Sequence, residues 1–325
     1  MITAVEKGKV ALRETIIDDP GPGQVQVRPQ VSLVSPGTER AIILALENTQ
    51  QTFPQAMGYS AAGFVDRVGP QVTRFKVGDR VACFALHHGE AGNVSERHCI
   101  PLDGSIGFDQ GAFLALGVIA LQGVRKARIE LGESALVLGL GPVGILALQL
   151  ARANGAAPTI GVDRVRGRLD RASQMGADLV FDTSDEGWRG RVREATRGEG
   201  PAVVIESTGF PEPVAAALDI ARRFGRVVLL GSTRAQSTLN LYATVHVKAL
   251  SVLGAHVMGN PLSESRPGAW TWEEDARAFL ELLETGRVSL DPLITERVPW
   301  RRAPEAYDRI LAWDPNAMVA LIDWR

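Results

Sequence analysis

The chain has 325 residues, of which 45% are hydrophobic, 22% charged and 6% aromatic. These values are typical of a folded globular protein that is long enough for two domains with separate cores. The net charge of −2, with acidic and basic residues mixed along the chain, argues against nucleic acid as a partner. Two cysteines, Cys83 and Cys99, are too few for a disulfide scaffold or a four-cysteine zinc lobe.

The amino-terminal stretch MITAVEKGKVALRE has no apolar signal core. The longest uncharged stretch, residues 134–151, has the length of a membrane span, but a Gly-Leu-Gly-Pro turn divides it. A buried strand followed by a helix is the better interpretation of that stretch. We therefore expect a cytoplasmic protein with no membrane partner.

Residues 1–116 have short strand-like segments separated by Pro and Gly, which predicts a β-rich, barrel-like domain. From residue 117 to 256, six apolar segments alternate with amphipathic ones: SALVLGL, PTIGVD, DLVFD, AVVIEST, RVVLLGS and LSVLGAH. Continuous Val/Ile/Leu strands between helices predict an α/β fold with a doubly wound parallel six-stranded sheet. Residues 257–325 contain a loop, a helix (WEEDARAFLELLETG) and a final strand (AMVALIDW), a tail that fits either domain.

The segment ALVLGLGPVGILALQLARANG has three glycines, Gly139, Gly141 and Gly144, between an apolar strand and an apolar helix. The first glycine permits a tight turn, the second lets a pyrophosphate approach, and the third allows close packing of helix on strand. The helix N-terminus offers unpaired N–H groups to the phosphates. In this context the pattern predicts a dinucleotide-binding turn.

The next predicted strand ends at Asp163, a carboxylate that can accept both ribose hydroxyls and would repel a 2′-phosphate. Arg164, Arg166 and Arg168 follow at once, and an arginine beside that position can accommodate a 2′-phosphate. We expect the carboxylate to dominate, so NAD is favoured and NADP stays possible.

Several segments together resemble the medium-chain dehydrogenase/reductase superfamily of the zinc alcohol dehydrogenase type. They are PGPGQVQVRPQVSLVSPGTE, GYSAAGFVDRVGPQVTRFKVGDRVA, GLGPVGILALQLARANGA, RLDRASQMGADLVFD and VVIESTGFPEPVAAALDIARRFGRVVLLGS. The shorter segments SPGTE, MGYS and FLALGVIALQGVRKA resemble a branch linked to sugar-type oxidoreductases and, distantly, to bacteriochlorophyllide dehydrogenase. The resemblance implies a GroES-like catalytic domain (residues 1–116 with 257–325) and an inserted Rossmann domain (117–256), with the active site in the cleft between them.

The resemblance also implies a set of cofactor-binding residues. The pyrophosphate turn corresponds to Gly139, Gly141, Pro142, Val143 and Gly144, and the ribose site to Asp163, with Arg164 and Arg168 beside it. The carboxyl ends of later strands, where open parallel sheets bind ligands, add Ser207, Thr208, Gly209, Gly231, Ser232 and His256. In this family the last strand lies near the nicotinamide, and dimers pair across it, so we expect a homodimer and a small-molecule substrate.

The zinc ligands of the resembling enzymes are missing from this chain. The first ligand, a Cys, corresponds to Ser35 or Pro36, and the Gly-His-Glu motif with the second ligand is replaced by Gly58, Tyr59 and Ser60. A neutral hydroxyl does not replace a thiolate or an imidazole at useful affinity, so we expect neither structural nor catalytic zinc. His87, His88, Glu96, His98 and Cys99 cluster in the sequence, but neighbouring residues of a strand point in opposite directions. Surface or loop histidines are therefore the favoured interpretation.

Without zinc, hydrogen-bond donors must polarise the substrate oxygen. Three candidate catalytic residues lie at the aligned positions. Thr38 could relay a proton; Tyr59 could donate one or be only a buried aromatic; Glu39 could position substrate hydroxyls or form an ion pair with an arginine. Three functions stay open: an NAD-dependent dehydrogenase or reductase of secondary alcohols and ketones such as sugar or polyol derivatives, a zinc-independent enone or quinone reductase, and a non-catalytic NAD-binding protein.

Overall fold

The computed structural model describes all 325 residues and contains sixteen strands and nine α-helices. The strands are β1 Ile2–Glu6, β2 Lys9–Leu12, β3 Gln24–Val34, β4 Gln55–Ala56, β5 Ser60–Val68, β6 Arg80–Phe84, β7 Gly92–Ser95, β8 Cys99–Pro101, β9 Ala135–Leu138, β10 Thr159–Asp163, β11 Leu179–Asp182, β12 Val203–Glu206, β13 Arg226–Leu229, β14 Ser251–Gly254, β15 Ile294–Pro299 and β16 Val319–Asp323. The helices are α1 Pro36–Ile43, α2 Phe108–Gly111, α3 Leu114–Ala127, α4 Pro142–Ala153, α5 Arg166–Gln174, α6 Trp188–Ala195, α7 Glu212–Ile220, α8 Trp272–Glu284 and α9 Ala303–Leu311.

The chain divides into two compact units. The first contains residues 1–116, 276–285 and 293–325, and the second contains residues 117–275 and 286–292. The second unit therefore runs on past the predicted boundary at residue 256. Polar contacts account for this extension of the second unit. Asn260 and Asp275 are hydrogen-bonded to side chains of α3, and Ser289 forms two hydrogen bonds with Gln149 of α4. These contacts hold residues 257–275 and 286–292 on the second unit.

The first unit is built on β-structure. A seven-stranded sheet has the order β15-β16-β3-β5-β6-β8, with β7 also pairing with β3, and a small sheet has the order β2-β1-β4. One apolar core lies between β3, β5, β6 and the loops around them, and a second includes Ile43 of α1, Tyr307 of α9 and Ile322 of β16. Strand β15 and helix α9 were not predicted from the sequence, yet α9 supplies a buried side chain to the candidate site below.

The second unit has the predicted six-stranded sheet, which confirms the α/β fold class. The strand order is β11-β10-β9-β12-β13-β14, and every neighbouring pair is parallel. Strands β9, β10 and β12 are buried along their whole length, since apolar side chains cover both faces of a parallel sheet of this kind. The order reverses between β9 and β12, where the carboxyl ends of two neighbouring strands leave room for a ligand.

None of the helices combines the length and the apolar character that a membrane span requires.

Candidate active site

The glycine turn after β9 has the geometry that the sequence predicts. Gly139 adopts a φ of +93°, which a residue with a side chain rarely adopts. A Cβ on Gly144 would lie 1.9 Å from the carbonyl oxygen of Gly139, so only glycine lets α4 pack this closely. By contrast, nothing lies within 4 Å of a Cβ built on Gly141, the N-cap residue of α4. The helix N-terminus is therefore open on the side where a phosphate would approach.

Asp163 connects this turn to the next strand. It is 7% exposed at the end of β10, and its Oδ2 accepts a hydrogen bond from the backbone N–H of Leu140 at 2.7 Å. Its Oδ1 accepts from the N–H of Val165 at 2.9 Å, and Nη1 of Arg168 lies 3.8 Å from Oδ2. Each oxygen keeps a second lone pair, so a ribose hydroxyl can still bind. The carboxylate thus braces the glycine turn as well as facing the predicted ribose site.

The remaining predicted cofactor residues fall into three groups. Ser207 and Thr208 use their hydroxyls within the fold: Ser207 donates to the carbonyl of Gly139 at 2.6 Å, and Thr208 bonds to the carboxyl of Glu206. Residues at or near the surface of the second unit form the second group: Arg164, Gly209, Gly231, Ser232 and His256. The third group lies at the first turn of α4, where Pro142 is buried and Val143 is half-buried.

Glu206 is a buried acid that sequence reasoning missed. It ends β12 with no exposed surface, its Oε1 accepts from the N–H of Thr208 at 2.7 Å, and its Oε2 has no hydrogen-bond partner. Burial raises the pKa of this carboxyl to about 7, against the smaller opposing effect of the Thr208 hydrogen bonds. A carboxyl this poorly solvated makes the stability of the second unit depend on pH.

The three predicted catalytic residues lie in the first unit, and two of them belong to one cluster of hydroxyls. Helix α1 begins after Ser35, and Pro36 at its first position favours the helical backbone. The phenol of Tyr59, just before β5, donates to Oγ of Ser35 at 2.8 Å and is also hydrogen-bonded to the Thr38 side chain. We call Ser35, Thr38 and Tyr59 the hydroxyl cluster.

Tyr59 is half-buried, with its ring edge-on to Phe84 at a centroid distance of 6.2 Å. Burial raises the pKa of its phenol above the ordinary value of 10, and the nearby Glu39 charge raises it further, while the bonds to Ser35 and Thr38 oppose the shift. Tyr59 therefore stays protonated through the neutral range and can act as a hydrogen-bond or proton donor.

Glu39 is fully buried and lies one turn of α1 beyond Ser35. Its Oε1 accepts the backbone N–H of Ser35 at 2.8 Å, and its Oε2 accepts the hydroxyl of Tyr307 at 2.5 Å. The polar partner is Nε2 of His88, 3.3 Å from Oε2, rather than the arginine that one of the two interpretations of this residue predicted. Glu39 has no exposed surface and is bonded to the N-terminus of α1 through the N–H of Ser35.

His88 lies in the loop after β6, which is one of the two predicted positions, but its side chain has no exposed surface. Its Nδ1 lies 2.7 Å from Oγ of Ser32, which also accepts a hydrogen bond from the indole N–H of Trp324 at 2.8 Å. Because the Glu39 carboxylate only accepts, Nε2 of His88 is assigned as its donor, and Ser32 can then donate its proton to Nδ1. We call Glu39, His88, Ser32, Tyr307 and Trp324 the Glu39 network.

Gly58 is the one local feature of the sequence that could have indicated this network. Gly58 has a φ of +84°, and a Cβ there would lie 2.5 Å from the imidazole ring of His88. Two residues that are close to His88 in the sequence lie outside the Glu39 network. His87 is exposed, and its Nδ1 contacts the carbonyl of Gly58 at 2.8 Å. Cys99 is buried, with its sulfur 3.5 Å from that of Cys83. Hydrogen bonding to Cys99 and burial both raise the pKa of the Cys83 thiol well above its ordinary value.

These side chains do not fit a zinc ion. Nowhere in the chain do three His, Cys, Asp or Glu side chains come together as possible ligands of one metal. Ser35 and Tyr59 supply neutral hydroxyls where a tetrahedral zinc site needs a thiolate and an imidazole. The hydroxyls are instead committed to each other, as described above.

Comparison with known proteins identifies two family domains in the chain. The family model for the alcohol dehydrogenase GroES-like domain matches residues 21–127, and the model for zinc-binding dehydrogenases matches residues 142–274. Sorbitol dehydrogenase from Homo sapiens is 27% identical over 93% of this chain and 89% of its own length. L-threonine 3-dehydrogenase from Pyrococcus horikoshii is 28% identical over 96% of this chain and 94% of its own.

Among solved structures, galactitol-1-phosphate dehydrogenase from Escherichia coli superposes with a TM-score of 0.87 at 22% identity, over 99% of both chains. Along the chain, the GroES-like match precedes the zinc-binding dehydrogenase match. The chain therefore belongs to the medium-chain dehydrogenase/reductase superfamily of the zinc-type, alcohol dehydrogenase-like kind, and is an NAD(P)-dependent oxidoreductase of that superfamily.

Proposed function

We propose that this protein is a zinc-independent, NAD-dependent oxidoreductase that interconverts a secondary alcohol and its ketone. The observation that carries the proposal is the hydrogen bond from Tyr59 to Ser35, at positions where the resembling enzymes hold zinc. A phenol that stays protonated can polarise a carbonyl oxygen in the way that a metal ion otherwise would.

The residues that would hold the dinucleotide are those of the open glycine turn, Gly139 to Gly144, with Asp163 for the ribose. The backbone N–H groups at the start of α4 would bind the pyrophosphate. Bound NADH supplies a hydride for ketone reduction, and NAD⁺ accepts one in the reverse direction. The carboxylate of Asp163 favours NAD over NADP, because a 2′-phosphate would meet its negative charge at close range.

In ketone reduction, Tyr59 would donate its proton to the substrate oxygen as the hydride reaches the carbonyl carbon, which balances the charge. The hydroxyls of Ser35 and Thr38 would relay a proton from solvent to the phenolate, because Thr38 is partly exposed. Glu39 would fix the N-terminus of α1 through the N–H of Ser35, and so hold the hydroxyl cluster in place. In alcohol oxidation the same groups would carry the proton in the other direction.

A polyol or a sugar derivative is the substrate class we favour. Sorbitol dehydrogenase and a probable D-xylulose reductase from Aspergillus niger, 28% identical over 80% of this chain, are among its relatives. A proton-donating hydroxyl cluster also suits the carbonyl of an enone, whose oxygen needs only a hydrogen bond during C=C reduction. The two substrate classes are therefore the arms of one experiment.

The test is NADH oxidation with a panel of polyol-derived ketones and a panel of enones, on protein whose metal content is measured in parallel. We expect turnover with the ketones, a preference for NADH over NADPH, and less than stoichiometric zinc. Turnover restricted to enones would assign the reductase function instead. Stoichiometric zinc would contradict a zinc-free site, and no turnover in either panel would favour a non-catalytic nucleotide-binding protein.

We also propose a homodimer, formed at the free edge of the six-stranded sheet. Strand β14 is the last strand of the order, and the exposed apolar side chains Val252, Met258 and Leu262 lie on it and on the loop that follows. An unprotected apolar strand edge favours pairing with a second copy. The two buried cysteines form no disulfide, which is compatible with the reducing environment of the cytoplasm, the location we favour.

Light scattering tests the dimer. We expect a mass twice the 34.9 kDa of one chain, and the mass of a single chain for Val252→Lys, since two lysines would face each other across the paired edge. Val68→Lys is the matched control, because Val68 of β5 is as exposed as Val252, 42% in each case. A monomeric unmodified protein, or an unchanged mass for Val252→Lys, would contradict this interface.

A further inference from the structure

A cavity of about 350 Å³ opens at the carboxyl ends of β13 and β14 in the second unit. Two stretches of chain that follow these strands form part of its wall, residues 229–232 and 254–256, together with Gly259. Helix α3 supplies two polar side chains, Gln122 and Lys126, which lie one helical turn apart. Sequence reasoning singled out neither of them.

Gln122 is 3% exposed and has one unsatisfied atom. Its Nε2 donates to Oδ1 of Asn260 at 3.1 Å. The orientation of Asn260 is fixed in turn, because its Nδ2 donates to the carbonyl of Trp270 at 2.9 Å and to Oδ2 of Asp275 at 3.2 Å. The Gln122 amide therefore cannot flip without losing its bond, and its Oε1 is left as a buried acceptor with no donor. Such an atom costs free energy until a donor reaches it.

Lys126 is half-buried and takes part in no hydrogen bond or ion pair. No Asp or Glu lines the cavity, so its ammonium group has no counter-charge there. The neighbouring Arg125 shows the contrast, since it is bonded to Asp275 and lies over the ring of Trp270 at 3.4 Å. The cavity wall thus offers one unfilled acceptor and one unfilled donor, side by side on α3.

A ligand that satisfies both groups must carry a donor and an acceptor close together. A primary carboxamide does so, with an NH₂ for Oε1 of Gln122 and a carbonyl for the ammonium of Lys126. A carboxylate or phosphate carries only acceptors and would set a negative charge against Oε1. We propose that Gln122 and Lys126 bind the carboxamide of the nicotinamide ring and so recognise the reactive end of the cofactor. This inference rests on the proposed binding of a nicotinamide nucleotide to the second unit.

The experiment is calorimetric titration of the full-length protein and of Gln122→Met and Lys126→Met, with no substrate present. The ligands are NAD⁺, ADP-ribose, which lacks the nicotinamide, and 3-acetylpyridine adenine dinucleotide, in which a methyl group replaces the amide NH₂. We expect each variant to bind NAD⁺ about tenfold more weakly, the effect of one lost hydrogen bond, and ADP-ribose within about twofold of the unmodified protein.

The acetylpyridine analogue distinguishes the role of Gln122 from that of Lys126. The unmodified protein and Lys126→Met should both prefer NAD⁺ to this analogue, whereas Gln122→Met should bind the two equally. Lys76→Met, at an exposed lysine of the first unit, is the matched control. Lys126→Met keeps the test open if loss of the Asn260 contact unfolds Gln122→Met, because Lys126 has no partner to lose.

Three results would overturn the proposal. An equal loss of affinity for NAD⁺ and ADP-ribose would mean that the variants disturb the fold rather than the nicotinamide site. A preference for NAD⁺ over the analogue that survives in Gln122→Met would remove Gln122 from amide recognition. If the unmodified protein binds neither NAD⁺ nor ADP-ribose, the proposed function itself fails, which the first two results would leave intact.

Discussion

Replacing Tyr59 by phenylalanine is expected to lower kcat for ketone reduction by about 10²- to 10⁴-fold, the usual contribution of a general acid. The substitution removes only the hydroxyl that donates to Ser35 and leaves the ring against Phe84. KM should change much less than kcat, because the proton is transferred in the transition state. Steady-state kinetics with the best substrate of the ketone panel, at pH 7, measures both quantities.

The control for this substitution is Tyr242→Phe, which removes an equally sized hydroxyl from a side chain that is 71% exposed. Thermal unfolding of both variants should match that of the unmodified protein within a few degrees. If Tyr59→Phe keeps more than a third of the original kcat, Tyr59 is not the acid, and the hydroxyl cluster has only a structural role.

The pH dependence provides a second measurement on the same residue. Burial and the Glu39 charge hold the pKa of Tyr59 above 10, so the phenol stays protonated throughout the neutral range. The rate of ketone reduction should therefore show no decline assignable to Tyr59 between pH 6 and 9. A falling limb in that interval, absent from Tyr59→Phe, would mean that the phenol ionises far more readily than its surroundings predict.

Glu206→Gln is expected to stabilise the protein at pH 8 by about 3 kcal/mol and at pH 5 by less than about 1 kcal/mol. Burial raises the pKa of Glu206 from an ordinary 4.5 to about 7, so the folded state binds the proton more tightly than the unfolded state. The contribution of Glu206 to stability is then greatest below pH 4.5 and is lost as the pH rises through 7. The amide of glutamine resembles the protonated carboxyl and removes this pH-dependent loss.

Urea unfolding at the two pH values, followed by tryptophan fluorescence, measures the effect. Glu212→Gln is the matched control, because Glu212 is exposed at the start of α7, six residues away, and its substitution should change stability by under about 0.5 kcal/mol at either pH. An equal gain for Glu206→Gln at pH 5 and pH 8 would contradict the raised pKa and would assign the effect to packing.

The nucleotide-binding half of this protein is largely readable from its sequence. Each of the six strands predicted from apolar segments is present, and all pair in parallel. The reason is that the signals are local: a buried parallel strand needs a continuous apolar run, and a strand-to-helix turn needs glycine where a side chain would collide, as at Gly144. The fold class and the glycine turn were therefore determined within short stretches of chain.

The candidate catalytic half depended on contacts between distant residues. Three hydrogen bonds show this. His88 and Ser32 are separated by 56 positions in the sequence, Tyr307 and Glu39 by 268, and Trp324 and Ser32 by 292. A histidine beside a second histidine, in a segment rich in polar residues, carries no local sign of burial. Glu39 and His88 are buried only because α9 and β16, from the end of the chain, pack over them with Tyr307 and Trp324.

The sequence by itself determined which groups are available: hydroxyls at Ser35, Thr38 and Tyr59, and no cysteine or histidine at the aligned metal-ligand positions. Only the tertiary structure decided that these hydroxyls are hydrogen-bonded to one another. It also decided that Glu39 is buried and bonded to the N-terminus of α1. The tertiary structure also decided the hydrogen-bond partner of Gln122, since Asn260 lies 138 residues away in the sequence. Side-chain chemistry is fixed by residue identity, whereas burial and hydrogen-bond pairing arise only when distant segments pack together.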